Sequence, residues 1–354
     1  MRVLVVDDSV VFRSAIKTAL DGAPGVEVVG AANNGRIALQ KLAQSSVDLV
    51  TLDMEMPEMG GLETIREIKK QKFPVRIIVF SAHTTRGSEA ALEALAAGAD
   101  DFVAKPASNE SGYEHAAARI RDELLPKVLQ FVPQSQRPAL SAPATTSRDK
   151  PKDRPYYPAR DIPTFRPGLI VIGSSTGGPP ALERVLKEIA NPCRVPILIA
   201  QHMPPVFTAS LAKRLKDVTG VVAAEGVDGE ELLANRIYVA PGDFHMAIAK
   251  RGTKHFISLN KAPQRNSVRP AVDVLFETAA EHFEHRVMAF VLTGMGEDGL
   301  IGAREIKKKG GGVMIQDKAS CVVFGMPGAI YAEDVFDSVG GLDEINGVIK
   351  RMCN

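Results

Sequence analysis

Short apolar runs rich in β-branched residues alternate with stretches whose apolar residues recur at helical spacing. Strands that are apolar throughout, each followed by a helix, fit a parallel sheet covered by helices on its faces. Residues 2–8 (RVLVVDD), 26–31, 47–53 (VDLVTLD), 75–82 (VRIIVFSA) and 101–104 read as five strands. Helices are expected at 11–20, 35–44, 62–71, 89–97 and 113–130. The alternation resumes with strands at 168–172 (GLIVI), 195–200 (VPILIA), 236–239 and 288–292 (MAFVL), and with helices at 180–189, 208–218, 272–282 and 299–308. The expected class is α/β, with two doubly wound, mainly parallel-sheet domains at 1–132 and 168–354. In such sheets ligands gather beyond the carboxyl ends of the strands.

Between the two blocks, residues 133–167 hold eight prolines in 35 positions, among Ser, Thr, Arg and Asp. That composition buries too little apolar surface to offset the entropy of ordering, so a solvated, semi-extended linker is expected. The whole chain of 354 residues has 43 Lys and Arg against 42 Asp and Glu, a net charge of +1. A protein held to nucleic acid by phosphate neutralisation needs a basic excess or stripe, so a nucleic-acid partner is not expected. No stretch approaches 18 consecutive apolar residues and the N-terminus shows no signal-peptide profile, which predicts a cytoplasmic protein. Three cysteines, Cys193, Cys321 and Cys353, have no metal-ligand spacing and suggest neither a disulfide framework nor a zinc site.

In the first block Asp7 and Asp8 end the first strand, Asp53 ends the third, Ser81 ends the fourth and Lys105 closes the fifth. A parallel sheet brings these residues to one edge. Clustered carboxylates repel unless a hard cation joins them, and Mg²⁺ takes such oxygen ligands. The cation would neutralise charge while Asp53 attacks a phosphoryl group. Lys105 would pair with the resulting acyl phosphate and Ser81 would hydrogen-bond it. A merely helix-capping Asp7 and Asp8 beside a solvated Lys105 leaves this coincidence of positions unexplained.

In the second block GLIVI runs into Gly173-Ser174-Ser175-Thr176-Gly177-Gly178. A glycine-rich strand-to-helix turn can cradle phosphate or expose a nucleophilic serine. The residues a phosphate site needs are missing, whereas Gly-x-Ser-x-Gly centres on Ser175. His202 follows VPILIA and Asp298 follows MAFVL, so serine, histidine and aspartate all lie just past strand ends. A serine hydroxyl attacks poorly until a base takes its proton, and a carboxylate must orient that base. The chain order Ser–His–Asp departs from the Ser–Asp–His order of α/β-hydrolases. Backbone N–H groups at Thr176 and Met295 are the candidate oxyanion-hole donors. Ser174 is a distant second as nucleophile, and His245 is expected to be a packing or hydrogen-bonding neighbour of the site.

The motifs VVDDS, LDMEMPEMGG, FSA and FVAKP resemble the receiver domain of two-component response regulators, a flavodoxin-like fold. The stretches IGSSTGGPPAL, AQHMPPVFTASLAKRL, YVAPGDFHM, RPAVDVLF and VLTGMGEDGLIGA resemble the catalytic domain of chemotaxis protein-glutamate methylesterases, the CheB family. Together the two resemblances span essentially the whole chain. They imply Asp53 as phospho-acceptor, Mg²⁺ held by Asp7, Asp8, Asp53 and the carbonyl of Glu55, and Ser81, Phe102 and Lys105 as switch residues. They imply Ser175, His202 and Asp298 as a catalytic triad that needs no cofactor, on a Rossmann-like domain. They imply a substrate, glutamate methyl esters of methyl-accepting chemotaxis receptors, with deamidation of receptor glutamines beside it. A CheA-type histidine kinase is the implied phosphodonor, and contact with the membrane runs only through the receptors. Two departures stand out: Gly60 where the family often has Asp, and Val268-Arg269-Pro270 where relatives often have His before Arg-Pro.

Two strand-end sites joined by a long tether suggest that the first domain inhibits the second until Asp53 is phosphorylated. The rival reading is a receiver-controlled binding adaptor, against which an intact Ser175, His202 and Asp298 set speaks. A DNA-binding regulator is disfavoured, because the second block shows no helix-turn-helix or basic recognition helix.

Overall fold

The first strand, β1 (Arg2–Val6), is buried at every position but its first, as a central strand covered on both faces must be. The computed structural model describes residues 1–105, 113–132, 165–189 and 191–354. The chain divides into two compact units, Met1–Lys150 and Pro151–Asn354. Residues 133–164 of the expected linker lie outside the described residues.

In the first unit, β1 is followed by α1 (Val10–Leu20), β2 (Glu27–Ala32), α2 (Gly35–Gln44), β3 (Leu49–Asp53), α3 (Gly61–Lys70), β4 (Arg76–Ala82), α4 (Thr85–Ala96), β5 (Asp101–Lys105) and α5 (Tyr113–Leu129). The strands pair in parallel in the order β2-β1-β3-β4-β5, the flavodoxin-like arrangement. Hydroxyl and amide caps start α1, α2 and α4: Ser9 accepts from Phe12 N–H, Asn34 from Ile37 N–H and Thr84 from Gly87 N–H. Each such cap stabilises by about 1 kcal/mol. Packing contributes more, since each buried Leu, Ile or Phe is worth about 1.5–3 kcal/mol. On one face Val3, Val5, Leu49, Ile78 and Phe80 meet Ile16 and Leu20 of α1 and Ile120 and Leu124 of α5. The reversal of strand order falls between β1 and β3, so the crevice lies beyond Val6 and Asp53.

In the second unit the elements are β6 (Leu169–Ser174), α6 (Gly178–Leu186), β7 (Ile197–Gln201), α7 (Phe207–Thr219), β8 (Val222–Glu225), β9 (Arg236–Val239), β10 (His245–Arg251), β11 (Lys254–Asn260), α8 (Val272–Phe283), β12 (Val287–Val291), α9 (Leu300–Lys308), β13 (Gly312–Gln316), α10 (Met326–Ala332), β14 (Ser338–Gly340) and α11 (Leu342–Cys353). Seven strands form one parallel sheet in the order β14-β13-β12-β6-β7-β9-β8, and β10 and β11 form a separate antiparallel hairpin. The α/β, doubly wound expectation holds for both units. The elements not foreseen are β8, the β10–β11 hairpin, β13, β14, α10 and α11. Here β6 is flanked by β12 and β7, so the crevice opens beyond three neighbouring strand ends.

Candidate active site

In the first unit the sheet brings the expected residues to one edge. Asp7 lies just past β1 and is fully buried, Asp53 ends β3 with 3% exposure, and Asp8 is exposed. One carboxylate oxygen from each of the three lies within 4.8 Å of the others. Lys105, at the end of β5, places its ammonium 2.8 Å from Asp53 Oδ1 and 3.1 Å from Asp7 Oδ2. The same ammonium sits 4.7 Å from the centre of the Phe12 ring, which covers it from α1. Burial pushes the Asp53 carboxyl above the usual carboxylate range; Lys105 pulls it back and the Asp7 charge adds to the rise. Burial acts to lower the Lys105 ammonium, but Asp53 and Asp7 outweigh it and hold the group above its ordinary value. Glu55 is exposed, and its backbone N–H hydrogen-bonds Asp53. Three anionic oxygens converging in this way are a hard-donor set that suits Mg²⁺.

Ser81 is buried at the end of β4, and its hydroxyl donates to the carbonyl of Gly87 at 2.5 Å rather than to Asp53. That bond ties β4 to the first turn of α4. The approach needs glycine at 87, where an added Cβ would lie 2.1 Å from the Ala82 carbonyl oxygen. Phe102 is buried on β5 under the Lys127 ammonium, which is 5.6 Å from its ring and 2.8 Å from Asp101. Phe102 and Lys105 share one short strand, β5, which adjoins the strand carrying Ser81.

In the second unit Ser175 directly follows β6, His202 follows β7, and Asp298 lies beyond β12. The His202 Nε2 is 2.7 Å from Asp298 Oδ2. An ionised carboxylate only accepts, so Nε2 is the donor; in the neutral imidazole Nδ1 then keeps its lone pair. The Asp298 carboxyl is 2% exposed, yet it lies below the usual carboxylate range. Burial raises it, and the His202 contact and backbone donors more than reverse that. Its Oδ2 also accepts from the Val272 N–H at 2.6 Å. Its Oδ1 accepts from the Asn266 amide at 2.9 Å, and from Asp273 and Gly299 N–H groups at 3.0 Å each.

The Ser175 peptide is clamped from three sides. Its N–H donates to Thr293 O at 3.0 Å, and its carbonyl accepts from the Gly178 N–H at 2.7 Å and the Gln201 amide at 2.9 Å. Gln201 also donates to the His202 carbonyl at 3.3 Å, so one buried amide joins the backbones of serine and histidine. Ser174 is fully buried and its hydroxyl donates to Gln201 Oε1 at 2.6 Å. That removes Ser174 as an attacking group: it orients the Gln201 amide. The Ser175 hydroxyl is only partly covered and forms no hydrogen bond with the described residues.

The loop 293–299 lies directly against this serine. An added Cβ at Gly294 would be 2.8 Å from Ser175 Cβ, and one at Gly325 would be 2.6 Å from the Gly294 carbonyl oxygen. The N–H of Gly294 is taken up by Val323 O at 3.0 Å, and its carbonyl accepts from Gly325 and Met326 N–H groups at 2.9 Å. Thr176 follows Ser175 in the chain, and Met295 follows Gly294, which lies against Ser175. Met295 is 39% exposed, at the rim, and Thr176 is buried.

His245 is 1% exposed; its Nε2 donates to Pro263 O at 3.1 Å and its Nδ1 accepts from the Ala271 N–H at 3.2 Å. It is a hydrogen-bonding residue that holds the segment 263–271. Sequence reasoning passed over Gln201, Asn266, Asp273 and Thr293, all of which act on the backbone or carboxylates of the triad positions. The only sequence signal was their place in the stretches flanking His202, Asp298 and the Arg269-Pro270 step.

Residues 170–349 match the CheB methylesterase family, and residues 3–117 match the response regulator receiver domain. A protein-glutamate methylesterase/protein-glutamine glutaminase of Trichodesmium erythraeum is 40% identical over 99% of both chains. The enzyme of that name from Thermotoga maritima is 39% identical, over 96% of this chain and 94% of its own. The crystal structure of the Thermotoga maritima CheB methylesterase catalytic domain superposes with a TM-score of 0.52 and 41% identity, covering 52% of this chain and 98% of that one. Matches of this length and identity, over both units, place the chain in the CheB methylesterase family, as a member with a response regulator receiver domain ahead of the catalytic domain.

Proposed function

We propose that the chain is a phosphorylation-controlled serine esterase that hydrolyses glutamate γ-methyl esters on chemoreceptors in the cytoplasm. The single observation that carries this reading is the 2.7 Å His202–Asp298 contact beside a serine that has a free hydroxyl. In the first step Ser175 Oγ attacks the ester carbonyl and its proton passes to His202 Nδ1. The carbonyl electrons move onto oxygen, which is held by the N–H groups of Thr176 and Met295. Asp298 stabilises the imidazolium through Nε2. Collapse of the adduct expels methoxide, which takes the His202 proton and leaves as methanol. Water then attacks the acyl-enzyme with His202 again as base, freeing Ser175 and the glutamate carboxylate. A receptor glutamine would follow the same path with ammonia as the leaving group.

The receiver supplies the control. Asp53 accepts the phosphoryl group from a CheA-type histidine kinase. Asp7, Asp8, Asp53 and the Glu55 carbonyl would hold Mg²⁺, which neutralises phosphoryl charge during transfer. Lys105 pairs with the acyl phosphate, Ser81 leaves the Gly87 carbonyl to donate to it, and Phe102 follows on β5. The unphosphorylated receiver inhibits the esterase, and residues 133–167 act as the linker between domains at 1–132 and 168–354.

The test is methanol release from methylated chemoreceptor by the full chain, with and without a small phosphodonor and Mg²⁺. Release abolished in Ser175→Ala, and stimulation abolished in Asp53→Asn, is expected. A folded wild-type chain that takes up phosphate yet releases no methanol would overturn the esterase reading in favour of a binding adaptor.

A further inference from the structure

The catalytic unit buries a second carboxylate next to the first. Asp273, in the first turn of α8, is fully buried and takes no part in the hydrolytic steps. Its Oδ1 accepts from the N–H of Gly302, in the first turn of α9, at 2.8 Å. Asp298, just before α9, accepts in turn from the first N–H groups of α8, those of Val272 and Asp273. Each acid thus caps the other's helix, where unpaired N–H groups and the helix dipole favour negative charge.

Asn266 lies between them. Its Nδ2 is 2.9 Å from Asp298 Oδ1 and 3.1 Å from Asp273 Oδ2. The orientation of the amide is fixed by chemistry, because only the NH₂ end can face two anionic oxygens. The backbone delivers it there: Arg265 and Val268 exchange two hydrogen bonds, at 3.2 and 3.0 Å, around Asn266 and Ser267 with φ of +52° and +62°. A two-residue turn of that hand accepts Gly or Asp as readily as Asn. The turn therefore does not by itself call for an amide at 266. The bridge between the acids does.

We infer that Asn266 is a positioning residue of the esterase, which locks one oxygen of Asp298 so that the other is aimed at His202 and separates that carboxylate from Asp273. The inference rests on the triad reading above. The charged and titratable groups around Asp298 are His202, Asp273 on α8, and Arg265 in the turn, which is itself paired with Glu277. With one donor fewer, Asp298 is a stronger base and holds protonated His202 more tightly. Repulsion from Asp273, which keeps Arg265 at 3.8 Å and the Gly302 N–H but loses the amide, acts in the same direction. His202 then takes its proton at a higher pH, and the acid limb of the rate profile moves up.

Asn266→Gly keeps the turn and removes only the amide, and Asn266→Asp keeps the turn and replaces the donor with a third acid. Both are compared with wild type as full chains, by methanol release against pH and by thermal unfolding, with Ser175→Ala beside them. Asn266→Gly is expected to lower kcat about tenfold, the effect of one hydrogen bond to a charged group, with KM within about twofold. Its acid limb is expected to rise by about half a pH unit or more. Asn266→Asp is expected to lose more activity at neutral pH, with its ratio to wild type recovering as the pH falls and the new carboxyl becomes a donor. A folded Asn266→Gly chain with an unmoved acid limb would overturn the inference, whether or not kcat falls. If Asn266→Gly does not fold, an Asn266→Asp ratio that stays flat with pH overturns it instead. Turnover surviving in Ser175→Ala would sink the triad reading itself, a separate result.

Discussion

A buried charge costs free energy, and the two sites meet that cost differently. Around Asp298 five donors, three of them backbone N–H groups, hold the carboxyl ionised. Asp53 has Lys105 and one backbone N–H beside it, and its carboxyl remains above the usual range because burial outweighs them. A carboxyl raised in the folded state favours folding at low pH, and that contribution is lost as the pH rises through its folded value. Asp53→Asn is therefore expected to raise the melting midpoint of the Mg²⁺-free protein's receiver transition by a few degrees at pH 7. The gain should shrink at acid pH, where the carboxyl takes up its proton and both proteins become neutral at this position. Calorimetry at the two pH values checks it, and a lower midpoint for the variant at pH 7 would contradict the burial argument. At the neighbouring serines the expectation is a contrast. Ser175→Ala removes the proposed nucleophile and should cut kcat by at least about 10⁴-fold. Ser174→Ala removes only the bond that orients Gln201 and should cost less than about tenfold. Ser175, His202 and Asp298 were legible in the sequence as candidates because each lies within a few residues of the end of an apolar run, Ser175 and Asp298 among glycines and His202 before a pair of prolines. Asn266, Asp273 and Gln201 were not, since a buried Asn or Gln has no pattern of its own and is defined by what the fold brings to it.

Elements that carry both a strong apolar run and a turn signal were foreseen to within a few residues, as with β6, β7 and α8. The hairpin β10–β11 was not, because only one face is buried and its polar residues dilute the alternation. At β13 the run GVMIQ is fully buried, but it begins inside the Gly310–Gly312 stretch that reads as a turn. With only three residues, β14 is too short to show a period. Packing between helices sets a sharper constraint than either pattern. Gly302 on α9 would place a Cβ 2.3 Å from Phe276 Cβ and 3.2 Å from the Asp273 carbonyl oxygen of α8. Alanine is the better helix former by about 1 kcal/mol, but forcing a methyl into a filled interface costs about 1–3 kcal/mol and here also pries the two caps apart. Gly302→Ala is expected to be net destabilising in urea unfolding and to lower kcat as Asp298 shifts. Unchanged stability would mean that the helices part without strain.

At the scale of the molecule the charges nearly cancel, so the proposed control of the esterase is assigned to a local event rather than to a long-range field. A phosphoryl group adds roughly −1.5 to −2 charge at one strand end. Shifting an inhibited form from ~1% to ~99% active takes about 5.5 kcal/mol, so partial inhibition with basal turnover is the expected behaviour of a single modification. Removing residues 1–132 should then raise methanol release above that of the unphosphorylated full chain and abolish the response to phosphodonor. Equal release from both proteins would exclude inhibition by the receiver. The reciprocal capping of α8 and α9 bears on when during folding the proposed site is completed. A newly made or damaged copy in which either helix has not formed still has its serine and its histidine. What it lacks is the set of helix N–H groups that anchors Asp298, so the proposed triad would be incomplete until both helices are in place.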